Sequence, residues 1–163
     1  MPNISTDDAI QQLLGVLAEA FEGPRQSWSY FTDSGAASGL FGTLAGISAA
    51  DASKAWGGTT IAAHVHHAAF AVEASAGWIA GDRASRDWQE SWSVSAVNDT
   101  GWRRLQQRLR EGYEALRQAI SGHGSAGAEE FGGSAAAVAH AAYHLGAIRQ
   151  KLAASRAAAV TRP

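Results

Sequence analysis

Apolar positions recur along four stretches of the chain at the three-to-four-residue spacing of an amphipathic helix. In the first stretch Ile10, Leu13, Leu14, Leu17 and Phe21 share one face. Ser5 and Asp8 give a capping-box-like start, with Asp in place of the usual Glu or Gln, and Gly23-Pro24 supplies a stop. A helix from Ser5 to Phe21 follows. A second helix is predicted over Thr60 to Ile79, with Thr59 as its N-cap and Gly81 near its end. The third stretch has the sharpest pattern. Asn98, Asp99 and Thr100 are capping residues, and Trp102, Leu105, Leu109, Leu116 and Ile120 mark one face before Gly122, Gly124 and Gly127 break the helix. A fourth helix is predicted from Ser134 to Ser155, where Val138, Ala141, Leu145, Ile148 and Leu152 repeat at helical spacing. The last residues, 155–163, read as a frayed tail.

Two long connections join these helices. Residues 24–58 carry Trp28, Tyr30 and Phe31, a Gly/Ser/Ala segment from Ser34 to Gly39, short helical pieces at Leu40 to Ala45 and Ala49 to Ala55, and a break at Gly57-Gly58. Residues 82–98 are polar but hold Trp88 and Trp92. Linkers lack such aromatics, so both connections are expected to pack on the body. No run alternates with period two for long enough to suggest a sheet. The pattern predicts an all-α fold: one four-helix-bundle domain over residues 1–163, with long connections between helices one and two and between helices two and three.

Composition adds limits. A chain of 163 residues fits one domain with a real core. Its 36 Ala and 18 Gly favour helices but thin the core, so the six Trp and five Phe are expected to supply much of the buried volume. A net charge of -2 leaves no basic footprint for nucleic acid. The absence of Cys excludes a disulfide framework, a thiolate zinc site and a cysteine nucleophile. No apolar run is long enough to span a membrane, and the polar, acidic start does not read as a signal peptide. A cytoplasmic protein acting on a small molecule is expected.

Five of the six His fall in two of the predicted helices. His140 and His144 stand four apart and project from one side of the fourth helix, beside its apolar stripe. Two imidazoles at that spacing can reach one metal ion. On the second helix His64 and His67 stand three apart on one face, while His66 is rotated away and reads as exposed or as an outer partner. A third imidazole from this helix would complete a three-nitrogen site, which suits a borderline divalent metal and leaves a position for water or substrate. His64 is open to three readings: a pocket wall, a further ligand, or a polar residue on the rim. His123 sits among glycines and reads as a solvated loop residue. No carboxylate lies within a turn of His140 or His144, and Glu73 is rotated off the His67 face. Trp88 and Trp92 could roof a pocket above the metal, although core packing is the favoured reading. For Tyr143, packing against another helix is favoured over a role as base. Arg103, Arg104, Arg108 and Arg110 read as a solvated face paired with Glu111 and Glu114.

Two segments resemble the DinB superfamily of helical-bundle proteins. One is Thr60-Ile61-Ala62-Ala63-His64-Val65-His66-His67-Ala68-Ala69-Phe70, similar to the family's second-helix pattern that ends in a metal-binding His. The other is Ala139-His140-Ala141-Ala142-Tyr143-His144-Leu145-Gly146-Ala147-Ile148-Arg149-Gln150, similar to its His-x-x-x-His-x-Gly-x-Ile segment. Ala147 stands where the family often has Gln, so any role of that Gln is absent here. The resemblance implies a metal triad at His67, His140 and His144, with His64 as an alternative for the first position. It also implies a nickel, zinc or iron ion and, in many members, a homodimer. Some members are thiol-dependent transferases or isomerases that use bacillithiol or mycothiol. With no Cys in this chain, a low-molecular-weight thiol would have to come as a cofactor. Two functions fit: a metal-dependent transferase or hydrolase, or a non-catalytic metal-binding stress-response or interaction protein.

Overall fold

The computed structural model describes residues 3–25, 27–35 and 37–160. The fold is all-α apart from one short ribbon. Four long helices carry it: α1 (Thr6–Glu22), α4 (Ile61–Ile79), α5 (Asp99–His123) and α6 (Ala128–Val160). Two short helices, α2 (Leu40–Ala45) and α3 (Ala49–Ala52), lie in the first connection.

The starts of α1, α4 and α5 follow local chemistry. The Asp8 amide donates to Ser5 Oγ at 3.1 Å, and Ser5 Oγ donates to the Asp8 carboxylate at 2.7 Å. Gly101 N donates to Asn98 Oδ1 at 2.8 Å at the start of α5. Helix α4 is capped by Thr60, whose Oγ1 accepts from Ala63 N at 3.0 Å, and not by Thr59 as expected. Thr59 is committed elsewhere, to the β ribbon and to His64.

Helix α6 is longer than its apolar pattern. It begins at Ala128, where Glu129 and Glu130 complement the positive end of the helix, and it continues to Val160. The helix end expected at Ser155 is therefore corrected to Val160. Alanines carry the helix beyond the apolar stripe because they cost least in helical form. Residues 161–163 of that expected tail lie outside the described residues.

The first connection also holds an unexpected ribbon. Strands β1 (Ala55–Trp56) and β2 (Thr59–Thr60) pair antiparallel, with Ala55 opposite Thr60 and Trp56 opposite Thr59. Gly57 and Gly58 make the turn at φ of 60° and 85°. Two successive positive φ values are what a tight hairpin turn demands, and glycine meets them without strain. Two residues per strand are too few to show alternation in the sequence. Upstream, the carboxylate of buried Glu19 accepts from the amides of Tyr30, Phe31 and Thr32 and from the Thr32 hydroxyl, all at 3.0–3.1 Å. Burial pushes its pKa up, but these hydrogen bonds outweigh burial and hold it below the usual carboxylate value.

Helix α4 is the central element. It packs on α5 and α6 and is buried around most of its circumference, three histidines included. Contact with α5 is close at Gly112, where an added Cβ would lie 2.6 Å from Val72 Cγ2. Leu17, Phe21, Val65, Leu109, Tyr113, Leu116, Ile120 and Ile148 fill the interior, with the Phe21 and Tyr113 rings stacked at 4.6 Å. Of the tryptophans only Trp102 is buried, with its Nε1–H on the Ile47 carbonyl at 2.7 Å. The expectation that tryptophan and phenylalanine supply much of the core volume is thus corrected for tryptophan: Phe21 and Tyr113, with leucine, isoleucine and alanine, do so. No helix among the described residues is long and apolar enough to cross a membrane.

Candidate metal centre

Packing of α4 against α6 brings both histidine pairs to one place. His67 Nε2 lies 3.0 Å from His140 Nε2, and His140 Nε2 lies 3.2 Å from His144 Nε2. One ligand atom from each of the three rings falls within 4.8 Å of the others. Two nitrogens on one tetrahedral ion, with bonds of 2.0–2.1 Å, stand about 3.3 Å apart, so the close pairs fit such a centre. His67 and His144 are buried at 8% and 2% exposure, and His140 is partly buried.

The surrounding hydrogen bonds decide which nitrogens face the centre. Ser91 is fully buried and belongs to a single 3-10 turn, Glu90–Trp92, that folds back onto α4. Its hydroxyl donates to the Trp88 carbonyl at 2.6 Å, so toward His67 Nδ1, 2.7 Å away, it can only accept. His67 therefore carries its proton on Nδ1 and presents a bare Nε2 to His140 and His144. His64 plays the matching part for His144: their Nδ1 atoms lie 3.0 Å apart, and His64 Nε2 lies 2.9 Å from Thr59 Oγ1. The chain is satisfied in either direction, and a metal on His144 Nε2 would select the one in which His144 Nδ1 donates to His64 and His64 Nε2 donates to Thr59. Outer partners of this kind orient metal-binding imidazoles and tune their basicity.

Electrostatics point the same way. Burial, and then the neighbouring His140, His64 and His66 rings, lowers the His67 pKa to about 4. Burial, and then His140, His67 and His64, lowers that of His144 to about 3. Burial also lowers His140, and burial followed by Lys151 lowers His64. Near neutral pH the cluster is a set of uncharged imidazoles, the form that binds metal.

The aromatic surroundings differ from the favoured expectation. Trp92 stacks on His67 at 4.2 Å and meets His64 edge-on at 5.4 Å, while remaining 42% exposed. It covers the histidines and is not core filler, and Trp88 lies beside it, 6.2 Å from His67. His66 is buried, not exposed, and its Nδ1 donates to the Ser91 carbonyl at 2.8 Å. Tyr143 is 67% exposed with its ring edge-on to His144 at 5.0 Å, so the expected packing against another helix is not seen. His123 ends α5 and is exposed, away from the cluster. Glu73 pairs with Arg108 through two bonds of 2.7 and 2.6 Å, and Glu114 pairs with Arg117 at 3.1 Å. Glu111 accepts from Gln107 at 2.9 Å, and Arg110 lies over the Phe41 ring.

Ser91 and Lys151 are not singled out by the sequence pattern, and Thr59 is read there only as an N-cap. Ser91 had one signal, its place between Trp88 and Trp92 in a connection that had to pack inward. Comparison with known proteins finds no matching family model, no matching curated protein and no matching solved structure.

Proposed function

We propose that the chain is a DinB-like, metal-dependent protein in which His67, His140 and His144 hold one divalent ion in a four-helix bundle. The observation that carries this reading is the convergence of three imidazole nitrogens from α4 and α6 at 3.0 and 3.2 Å. Of the two candidates on α4, His67 is assigned as the ligand because its bare Nε2 faces the other two rings. His64 is assigned as the partner that holds His144 in its binding tautomer. Nickel, zinc and iron all suit an all-imidazole set.

A divalent ion held by His67, His140 and His144 would supply Lewis acidity to an oxygen or sulfur atom of a bound molecule. The chain's own residues do the rest. Ser91 and His64 hold two ligand rings, and Trp92 shields the cluster from bulk water. The absence of carboxylate ligands keeps the full charge of the ion available. Such a site suits a transferase or hydrolase acting on a small molecule, with a low-molecular-weight thiol as co-substrate and a homodimer as the working form. A non-catalytic metal-binding stress or interaction protein is the second reading. Incubation of the metal-loaded and metal-free chain with thiols and electrophiles separates the two. Metal-dependent product formation supports the enzyme, and metal binding without turnover in either state supports the second reading.

A further inference from the structure

Beside the histidine cluster lies a cavity of about 540 Å³. His64, Trp92 and Tyr143 form the wall next to the cluster, and Trp56, Thr59 and Lys151 line the cavity as well. The volume is that of a small-molecule site, and aromatic walls with few polar groups are the usual lining.

Lys151 is the feature that calls for a ligand. Its ammonium donates to the carbonyl of Trp56 and, at 3.2 Å, to that of Thr59. An ammonium has three donors, so one remains. Lys151 makes no ion pair among the described residues, and none of the residues lining the cavity is acidic. It is partly buried, and burial lowers its pKa. A partly buried cation with no counter-charge carries a desolvation cost that an anion would offset. A cation with no counter-charge, in a cavity that Trp92 and Tyr143 also line, describes a definite chemistry.

We propose that this cavity binds a small organic acid, with its carboxylate on Lys151 and its apolar or aromatic body against Trp92 and Tyr143. The inference rests on the metal reading only in naming this acid as the substrate class of the adjoining centre. The subsite itself is formed without any ion.

Phenylacetate is a suitable probe, and phenylacetamide is its neutral counterpart. Tryptophan fluorescence of the full chain, metal-free and metal-loaded, would be titrated with each. Saturable binding of phenylacetate is expected in both states, with the amide at least tenfold weaker. Lys151→Gln is expected to weaken phenylacetate at least tenfold. Ala154→Glu is a second variant that leaves the Lys151 hydrogen bonds in place. Ala154 is exposed, lines the cavity and stands one turn beyond Lys151 on α6, so a carboxylate there supplies the missing counter-charge. It too is expected to weaken phenylacetate at least tenfold while metal binding is unchanged. Equal affinity for acid and amide, no saturable binding, or full affinity in Ala154→Glu would overturn the subsite. Failure of the metal reading would instead appear as a chain that binds phenylacetate but no ion.

Discussion

Replacing Ser91 by Ala tests the hydrogen bond that orients His67. The hydroxyl has two tasks: it accepts the His67 Nδ1 proton at 2.7 Å and donates to the Trp88 carbonyl at 2.6 Å. Alanine removes both, in a site with no exposure to water. A buried donor left without a partner costs about 1–3 kcal/mol, so the metal-free chain is expected to lose about that much stability. Loss of the partner that orients a ligating imidazole costs about 10–100-fold in metal affinity, which is roughly 1.4–2.7 kcal/mol. Urea denaturation of the metal-free protein reads the first quantity. Competition with a chromophoric zinc chelator reads the second. Ser93→Ala, an exposed change two residues away, is expected to alter neither. Zinc affinity in Ser91→Ala within twofold of wild type would refute the assignment of Ser91 as the residue that orients His67.

Further outcomes follow from the same structure. The metal-free chain is expected to lose stability as pH falls from 6.5 to about 4.5. The unfolded chain takes up protons on imidazoles that His67 and His144 refuse in the fold, where their pKa values are about 4 and 3. The slope is at most about 1.4 kcal/mol per pH unit for each imidazole, and denaturation of wild type against His144→Gln measures it. Above about pH 5.5 this effect stands clear of the carboxylates, Glu19 and Glu22 included, whose loss of stability begins as the unfolded chain protonates them; a flat profile in wild type from about pH 7 to 5.5 would contradict the neutral cluster. Gly112→Ala is expected to destabilise by about 1–3 kcal/mol in thermal or urea unfolding, because its Cβ would fall 2.6 Å from Val72 Cγ2. Leu109→Ala, at a position with no exposure, is expected to cost about 2–5 kcal/mol by the same assay.

Helices were the legible part of the sequence. The 3.6-residue pattern and the capping residues placed α1, α4 and α5 within a residue or two, because those signals are local. Helix α6 was underestimated because alanine extends a helix without extending its apolar stripe. The ribbon at Ala55 to Thr60 was hidden by its length. At the candidate site, the spacing of His140 and His144 and of His64 and His67 put each pair on one helix face. Choosing between His64 and His67 needed Ser91 and Thr59, partners that only tertiary folding brings near. The role of Trp92 was misjudged for the same reason, since composition cannot say which side of a folded-back connection faces the body. Lys151 lies 92 residues from its partner Thr59, a separation no local pattern reports.

The metal content of untagged protein, purified anaerobically, tests the central claim most directly. About one divalent ion per chain is expected in wild type, and also in His66→Leu where that variant folds. Far less is expected in His67→Ala, His140→Ala and His144→Ala. Equal metal in wild type and in all three alanine variants would contradict the three-histidine centre.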